Sequence, residues 1–186
     1  MIRIKDVYMT GKKHSLQRKG FTHESAYNES KEWYTPPEIF NALGTKFDVD
    51  PASPGKKIVS WIPARKHLTV LDNGLTSKWD GRVWLNPPYG ADTPKWLRRL
   101  VKHGNGIALV FSRTDTEWFH KYAAKADAIC FLRGRIRFVK ATGQSGGSSG
   151  NGSILLAYGK ECAQILSKCS LGWVVRKSAP NKHISK

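Results

Sequence analysis

The chain has 186 residues and a formal charge of +17, from 31 Lys and Arg against 14 Asp and Glu. That length suits one domain with a full core and short tails, and the charge asks for a polyanionic partner: nucleic acid first, an acidic membrane surface second. No apolar run approaches the ~20 residues of a membrane span and no secretory apolar region opens the chain, which argues against a membrane-embedded or exported protein. Cys130, Cys162 and Cys169 and the scattered histidines lack metal-ligand spacing, so the chain reads as a cytoplasmic protein with reduced thiols and no metal.

Residues 1–31 are polar, without helical or strand periodicity, and read as a flexible basic arm carrying Lys5, Lys12, Lys13, Arg18 and Lys19. Trp33-Tyr34-Thr35-Pro36-Pro37-Glu38 predicts a helix start, with Thr35 as N-cap, Pro36 at the first helical position and Glu38 completing a capping box. Ile39, Phe40 and Leu43 form its apolar face and Gly44 ends it. Strands are expected over 46–50, 67–71 and 82–85, with 52–66 irregular between the first two. Asp92-Thr93-Pro94 predicts a helix with Trp96, Leu97, Leu100 and Val101 inward, and Ile107–Phe111 reads as a fully buried strand. Asp115 is expected to cap a helix presenting Trp118, Phe119 and Tyr122, before strands at 128–132 and 153–158. The alternation predicts an α/β fold with a mostly parallel sheet flanked by helices, whose ligands bind beyond the carboxyl ends of the strands. Thr142–Gly152 is a Gly/Ser stretch without the Gly-Lys-Ser/Thr ending of a phosphate-binding loop, which excludes a P-loop triphosphatase. It serves either as a plain connection or as a mobile loop closing over nucleic acid.

Asn86-Pro87-Pro88-Tyr89 follows the apolar run Val83-Trp84-Leu85 and so falls at a strand's carboxyl end. Asn-Pro-Pro is also a common turn, but these residues suit methylation of an exocyclic amine on a flat ring. Such an amine feeds its lone pair into the ring and is a poor nucleophile. The Asn86 side-chain oxygen and the Pro87 carbonyl can accept its hydrogens and return density to nitrogen. Prolines 87 and 88 fix φ and lack a donor, so the carbonyl direction is set. Tyr89 can stack on a base that has left the helix.

Several segments resemble, in order, the phage-type DNA N6-adenine methyltransferases. They are Glu32-Trp33-Tyr34-Thr35-Pro36-Pro37, Asp48-Val49-Asp50-Pro51-Ala52, Asn73-Gly74-Leu75 with Trp79, Val83 to Gly90, Ala108 to Phe111 with Arg113-Thr114-Asp115-Thr116, Trp118-Phe119-His120 and Leu132 to Phe138. The resemblance covers residues 31–160 and implies a Rossmann-like, S-adenosylmethionine-dependent enzyme acting on double-stranded DNA in the cytoplasm of a bacterial host, as a phage or prophage protein. It implies that Trp33, Thr35 and Pro36 cradle the cofactor, where a helix N-terminus suits a carboxylate. It places Asp50-Pro51-Ala52 at the cofactor as well, Asp50 facing the ammonium group. The Gly-x-Gly turn of many methyltransferases is replaced by Ala52-Ser53-Pro54-Gly55, and Asp72 is the ribose-binding candidate. On this division a catalytic domain spans 32–160 and a basic extension 161–186.

Arg133, Arg135 and Arg137 alternate with Gly134, Ile136 and Phe138, which predicts one basic strand face. Lys95, Arg98, Arg99 and Lys102 recur at helical spacing, and Arg113 follows the buried strand. With the arm and with Arg176, Lys177, Lys182 and Lys186, these read as phosphate contacts. Trp61, Trp84 and Trp173 read as packing residues. RNA, cytosine N4 or protein glutamine as acceptor, and a catalytically silent DNA-binding module, are the competing readings; a monomer is expected.

Overall fold

Where apolar runs are continuous the chain forms interior strands, and where apolar residues recur at helical spacing it forms covering helices. The computed structural model describes residues 33–140, 145–148 and 150–177. Its helices are α1 (Pro37–Leu43), α2 (Thr93–His103), α3 (Glu117–Tyr122) and α4 (Lys160–Lys168). Its strands are β1 (Phe47–Asp50), β2 (Ala64–His67), β3 (Val83–Leu85), β4 (Gly106–Phe111), β5 (Ala128–Leu132), β6 (Arg137–Val139), β7 (Ser145–Ser148), β8 (Ser153–Tyr158) and β9 (Gly172–Arg176).

Seven strands form one sheet in the order β2-β1-β3-β4-β8-β5-β9, and β6 pairs with β7 in a separate ribbon. β1, β2, β3 and β4 run parallel. β8 lies antiparallel between β4 and β5, and β9 is antiparallel to β5. The sheet is therefore mixed, not mostly parallel as expected. Residues after 153 return against the first half of the sheet, a direction that an apolar run does not encode.

One face of the sheet packs Ile39, Phe40 and Leu43 of α1 and Cys162, Ala163 and Leu166 of α4 around Trp84. Trp84 is wholly buried and lies 4.7 Å from the Phe40 ring and 5.4 Å from the Phe47 ring. The other face packs Trp96, Leu97 and Leu100 of α2, with Trp118, Phe119 and Tyr122 of α3 partly buried against it. Together the two clusters give the sheet an apolar layer on each side, the driving force for this architecture.

Several local expectations change. Pro36 sits at the N-cap of α1, no side-chain cap bond forms, and Thr35 is fully buried instead. Asp92 caps α2 by position alone, and Thr116 rather than Asp115 stands at the N-cap of α3. The second strand lies at 64–67, not 67–71. Arg133, Arg135 and Arg137 are exposed while Ile136 and Phe138 are buried, so the alternation is real. It is not one strand: β5 stops at Leu132 and Gly134 turns the chain at φ +77°. Residues 145–148 of the Gly/Ser stretch form β7, whereas 141–144 and 149 lie outside the described residues. Residues 161–176, read as the start of a basic extension, supply most of α4 and the edge strand β9. The N-terminal arm, Lys182 and Lys186 lie outside the described residues. Among the described residues no helix is long and apolar enough to cross a membrane.

Candidate active site

The four parallel strands end on one rim, which carries Asp50 at the end of β1, His67 at the end of β2, Asn86 just past β3 and Phe111 at the end of β4. This is the crevice side on which open α/β sheets hold ligands. The sequence places Asn86 and Asp50 there, and β1 and β3 lie side by side through Val49 and Val83.

Asn86 is fixed at both ends of its amide. Its Nδ2 donates to the Trp33 carbonyl at 2.7 Å, and its Oδ1 accepts from the Tyr89 hydroxyl at 3.0 Å. The first bond orients the amide so that Oδ1 faces away from Trp33. Trp33 is itself anchored: its neighbour Tyr34 bridges Val139, with Tyr34 N–H to Val139 O at 3.0 Å and the reciprocal bond at 2.9 Å. The Trp33 ring meets Phe138 edge-on at 5.8 Å. The Trp33 segment thus reaches the tetrapeptide across 53 residues of sequence.

Tyr89 lies flat on Phe111, centroids 4.0 Å apart and planes 15° apart, with Phe138 edge-on at 6.2 Å. Burial pushes the Tyr89 hydroxyl well above its ordinary pKa, so it stays a donor at every physiological pH. Pro87 is buried, and the Pro88 carbonyl accepts from Thr93 Oγ1 at 3.0 Å, which ties the tetrapeptide to the start of α2. Phe111 and Phe138 fall within segments that carry the resemblance, but nothing in those segments marks them as partners of Tyr89. Only the position of Phe111 at the end of a buried strand hints at the rim.

Asp50 is 2 % exposed and accepts a 3.3 Å bond from the Ala52 N–H on Oδ1. Desolvation raises its carboxyl from 3.8 to about 7, against the lowering effect of the Ala52 N–H and Ser53. His67 stands 3.9 Å away through Nδ1, which meets Ser53 Oγ at 2.9 Å. Burial lowers the His67 pKa, so this neighbour does not supply a lasting cation. Ser53 also accepts from the Gly55 N–H at 3.1 Å, and this Ser-His arrangement stands where a Gly-x-Gly turn was missing.

Asn73-Gly74-Leu75 packs directly over this motif. A Cβ on Gly74 would overlap the Pro51 carbonyl oxygen, and the Gly74 carbonyl accepts from Trp79 Nε1 at 2.8 Å. Asp72 does not end a strand. It is exposed in a 3-10 turn, where its carboxylate accepts from Thr69 N–H at 2.8 Å and Thr69 Oγ1 at 2.9 Å; these bonds lower its pKa. Thr35 Oγ1 is buried with no hydrogen-bond partner among the described residues, while the Thr35 carbonyl accepts from Trp61 Nε1 at 2.9 Å.

The basic groups divide between the two layers. Arg133, Arg135 and Arg137 border a groove of about 460 Å³ that also touches Pro36 and Pro37, on the α1 side. Arg98 and Lys102 are exposed on α2, on the opposite side, and Lys95 pairs with Asp92 at 2.7 Å. Arg99 turns inward: its guanidinium lies 4.5 Å over the Trp79 ring and bonds the Ser77 carbonyl. Arg113 is exposed just past β4. Trp173, read as a packing residue, is 70 % exposed and stacks on Phe131 at 5.5 Å.

Neither a curated protein nor a solved structure matches the chain. A family model does: the one described as DNA N-6-adenine-methyltransferase (Dam) matches residues 23–181, which takes in the whole rim, β6 to β9 and α4. With most of its length covered, the chain belongs to the DNA N-6-adenine-methyltransferase (Dam) family.

Proposed function

We propose that the chain transfers a methyl group from S-adenosylmethionine to N6 of an adenine turned out of double-stranded DNA. One observation carries the reading: Asn86 is fixed on the rim by the Trp33 carbonyl and the Tyr89 hydroxyl, beside a Tyr89 ring backed on one face by Phe111. When bound, the cofactor supplies a methyl group on a positively charged sulfur, already activated for displacement. Asn86 Oδ1 and the Pro87 carbonyl accept the two N6 hydrogens and hold the nitrogen lone pair toward the incoming methyl. Tyr89 stacks on the adenine ring and sets its plane. The N6–CH₃ bond would form as the carbon–sulfur bond breaks, the sulfonium leaving as a neutral thioether, and the surplus N6 proton would pass to solvent. No strong base is needed, because the amine becomes acidic only once it is methylated.

The residues suit the cofactor. A buried carboxylate whose pKa is raised by desolvation gains a partner from an ammonium group, which Asp50 would hold. Pro51, Ala52 and the packed Gly74 turn would form the floor beside it, with Trp33, Thr35 and Pro36 closing the tetrapeptide side. Asp72 remains the ribose candidate only if it leaves Thr69. Arg113, Arg133, Arg135 and Arg137, with Lys95, Arg98 and Lys102, would bind phosphates; Arg99 is already engaged with Trp79. We place the reaction in the cytoplasm of a bacterial host, in line with three buried free thiols, and expect the chain to act as a monomer.

The test is incubation of the purified chain with radiolabelled S-adenosylmethionine and unmethylated DNA, followed by nucleoside analysis. N6-methyldeoxyadenosine is the expected product. Label in cytosine, in RNA or in protein would replace the acceptor, and cofactor-independent DNA binding alone would replace the enzyme.

A further inference from the structure

Val70 and Leu71 are 91 % and 93 % exposed, adjacent in sequence and aliphatic. The turn carrying them is braced: Asp72 accepts from Thr69 N–H and Thr69 Oγ1, and Ser77 Oγ donates to the Asp72 carbonyl. Thr69 Cγ2 lies 3.6 Å from where a Gly55 Cβ would stand, which brings the segment with Ile58, 44 % exposed, alongside. Val70 and Leu71 are the two most exposed large apolar residues among the described residues. Lys66 is exposed and close enough to act on the Asp72 carboxylate, Lys56 and Lys57 are exposed on the segment that follows Gly55, and Asp72 accepts from Thr69 in this structure. The tip follows β2 and so projects from the rim that carries Asn86. β2 and β3 are two strand spacings apart, roughly 10 Å.

We propose that the Val70-Leu71 tip is a wedge that enters duplex DNA next to the target adenine and opens the base step from which the adenine leaves. An aliphatic pair held rigidly in water is unfavourable unless a partner covers it, and the surrounding lysines specify a polyanion. Aliphatic side chains inserted between base steps unstack them and kink the duplex. A base reaching the rim must be turned out of its stack, and that cost is lowest for an unpaired base. The wedge rests on the DNA-adenine reading above and adds the element that makes the paired substrate accessible.

The experiment compares the wild-type chain with Val70→Ser/Leu71→Ser. Methylation is first mapped on unmethylated plasmid DNA, then measured on a synthetic duplex holding one mapped adenine, either paired or mismatched. The variant should keep its folded stability and cofactor affinity, lose at least about tenfold in kcat/KM on the paired duplex, and recover most of that loss on the mismatch. Equal activity on the paired duplex overturns the wedge, as does an equal loss on both substrates or a loss of cofactor affinity. Variant-sensitive binding to phosphatidylserine vesicles with unchanged methylation assigns the tip to a membrane and also overturns it. If the wild-type chain labels no DNA, the adenine reading itself falls and the wedge with it. Failure of the wedge alone leaves wild-type labelling intact.

Discussion

The Tyr89 hydroxyl donates to Asn86 Oδ1 at 3.0 Å, so the residue proposed to hold the adenine amine already has a donor of its own. In the free chain this half-buried acceptor is satisfied, and on the proposed reading the arriving N6–H displaces that bond. Tyr89→Phe keeps the ring and its 4.0 Å stack on Phe111 but removes the competing donor. The expected result is a kcat close to wild type with a KM for DNA lowered by up to about tenfold, the equivalent of one net hydrogen bond. Tyr89→Ala should instead lose base stacking of about 1–3 kcal/mol in kcat/KM. Steady-state kinetics on one mapped duplex separate the two.

Asn86→Ala removes a preorganised acceptor and should lower kcat by about 10²–10³-fold. Stability should change by much less, since Asn86 is only half-buried at the rim. Thermal unfolding and single-turnover methylation, run on the same preparation, check both parts. Near-normal turnover would contradict the role given to Asn86.

Asp50 ties the proposed cofactor site to pH. Its folded carboxyl is raised to about 7 from an ordinary 3.8, so the folded chain holds this proton more tightly than the unfolded chain. The resulting stability is fully present below 3.8 and is lost as pH rises through about 7. Ammonium binding needs the ionised form, so cofactor affinity should rise across the same interval and level off above it. Asp50→Asn should flatten both profiles, stabilise the free chain at alkaline pH and weaken cofactor binding. Calorimetric titration between acid and alkaline pH and parallel thermal scans give the two curves.

Gly74→Ala sets a methyl group against the Pro51 carbonyl and forces the turn off the Asp50 motif. A loss of about 1–3 kcal/mol in stability is expected from overpacking, with a larger proportional loss in cofactor affinity. Denaturant unfolding and equilibrium cofactor binding measure these. A variant with both unchanged would show that the contact is not needed.

What the sequence alone determined is local. The apolar run before Asn86 required a buried strand, and β3 is wholly buried; the prolines after it required a stop, and the rim begins there. The alternation around Arg135 correctly assigned exposed arginines and buried Ile136 and Phe138, because burial parity survives even when the strand itself is broken by Gly134. α4 and β9 were also readable in principle, from Cys162, Ala163 and Leu166 on one helix face and from Trp173-Val174-Val175.

Only tertiary structure decided the rest. Strand direction depends on where the chain returns, so the antiparallel placement of β8 and β9 carries no periodic signal. The capping box at Thr35 was overridden because burying its side chain took it away from the helix end. Asn86 meets Trp33 across 53 residues, Tyr89 meets Phe111, and Asp50 meets His67 through parallel register. Each is a contact between segments whose own sequences are complete without it. The charge state of Asp50 follows the same logic: its identity is written in the chain, but its proton is held by the absence of water around it, and that absence is made by the fold.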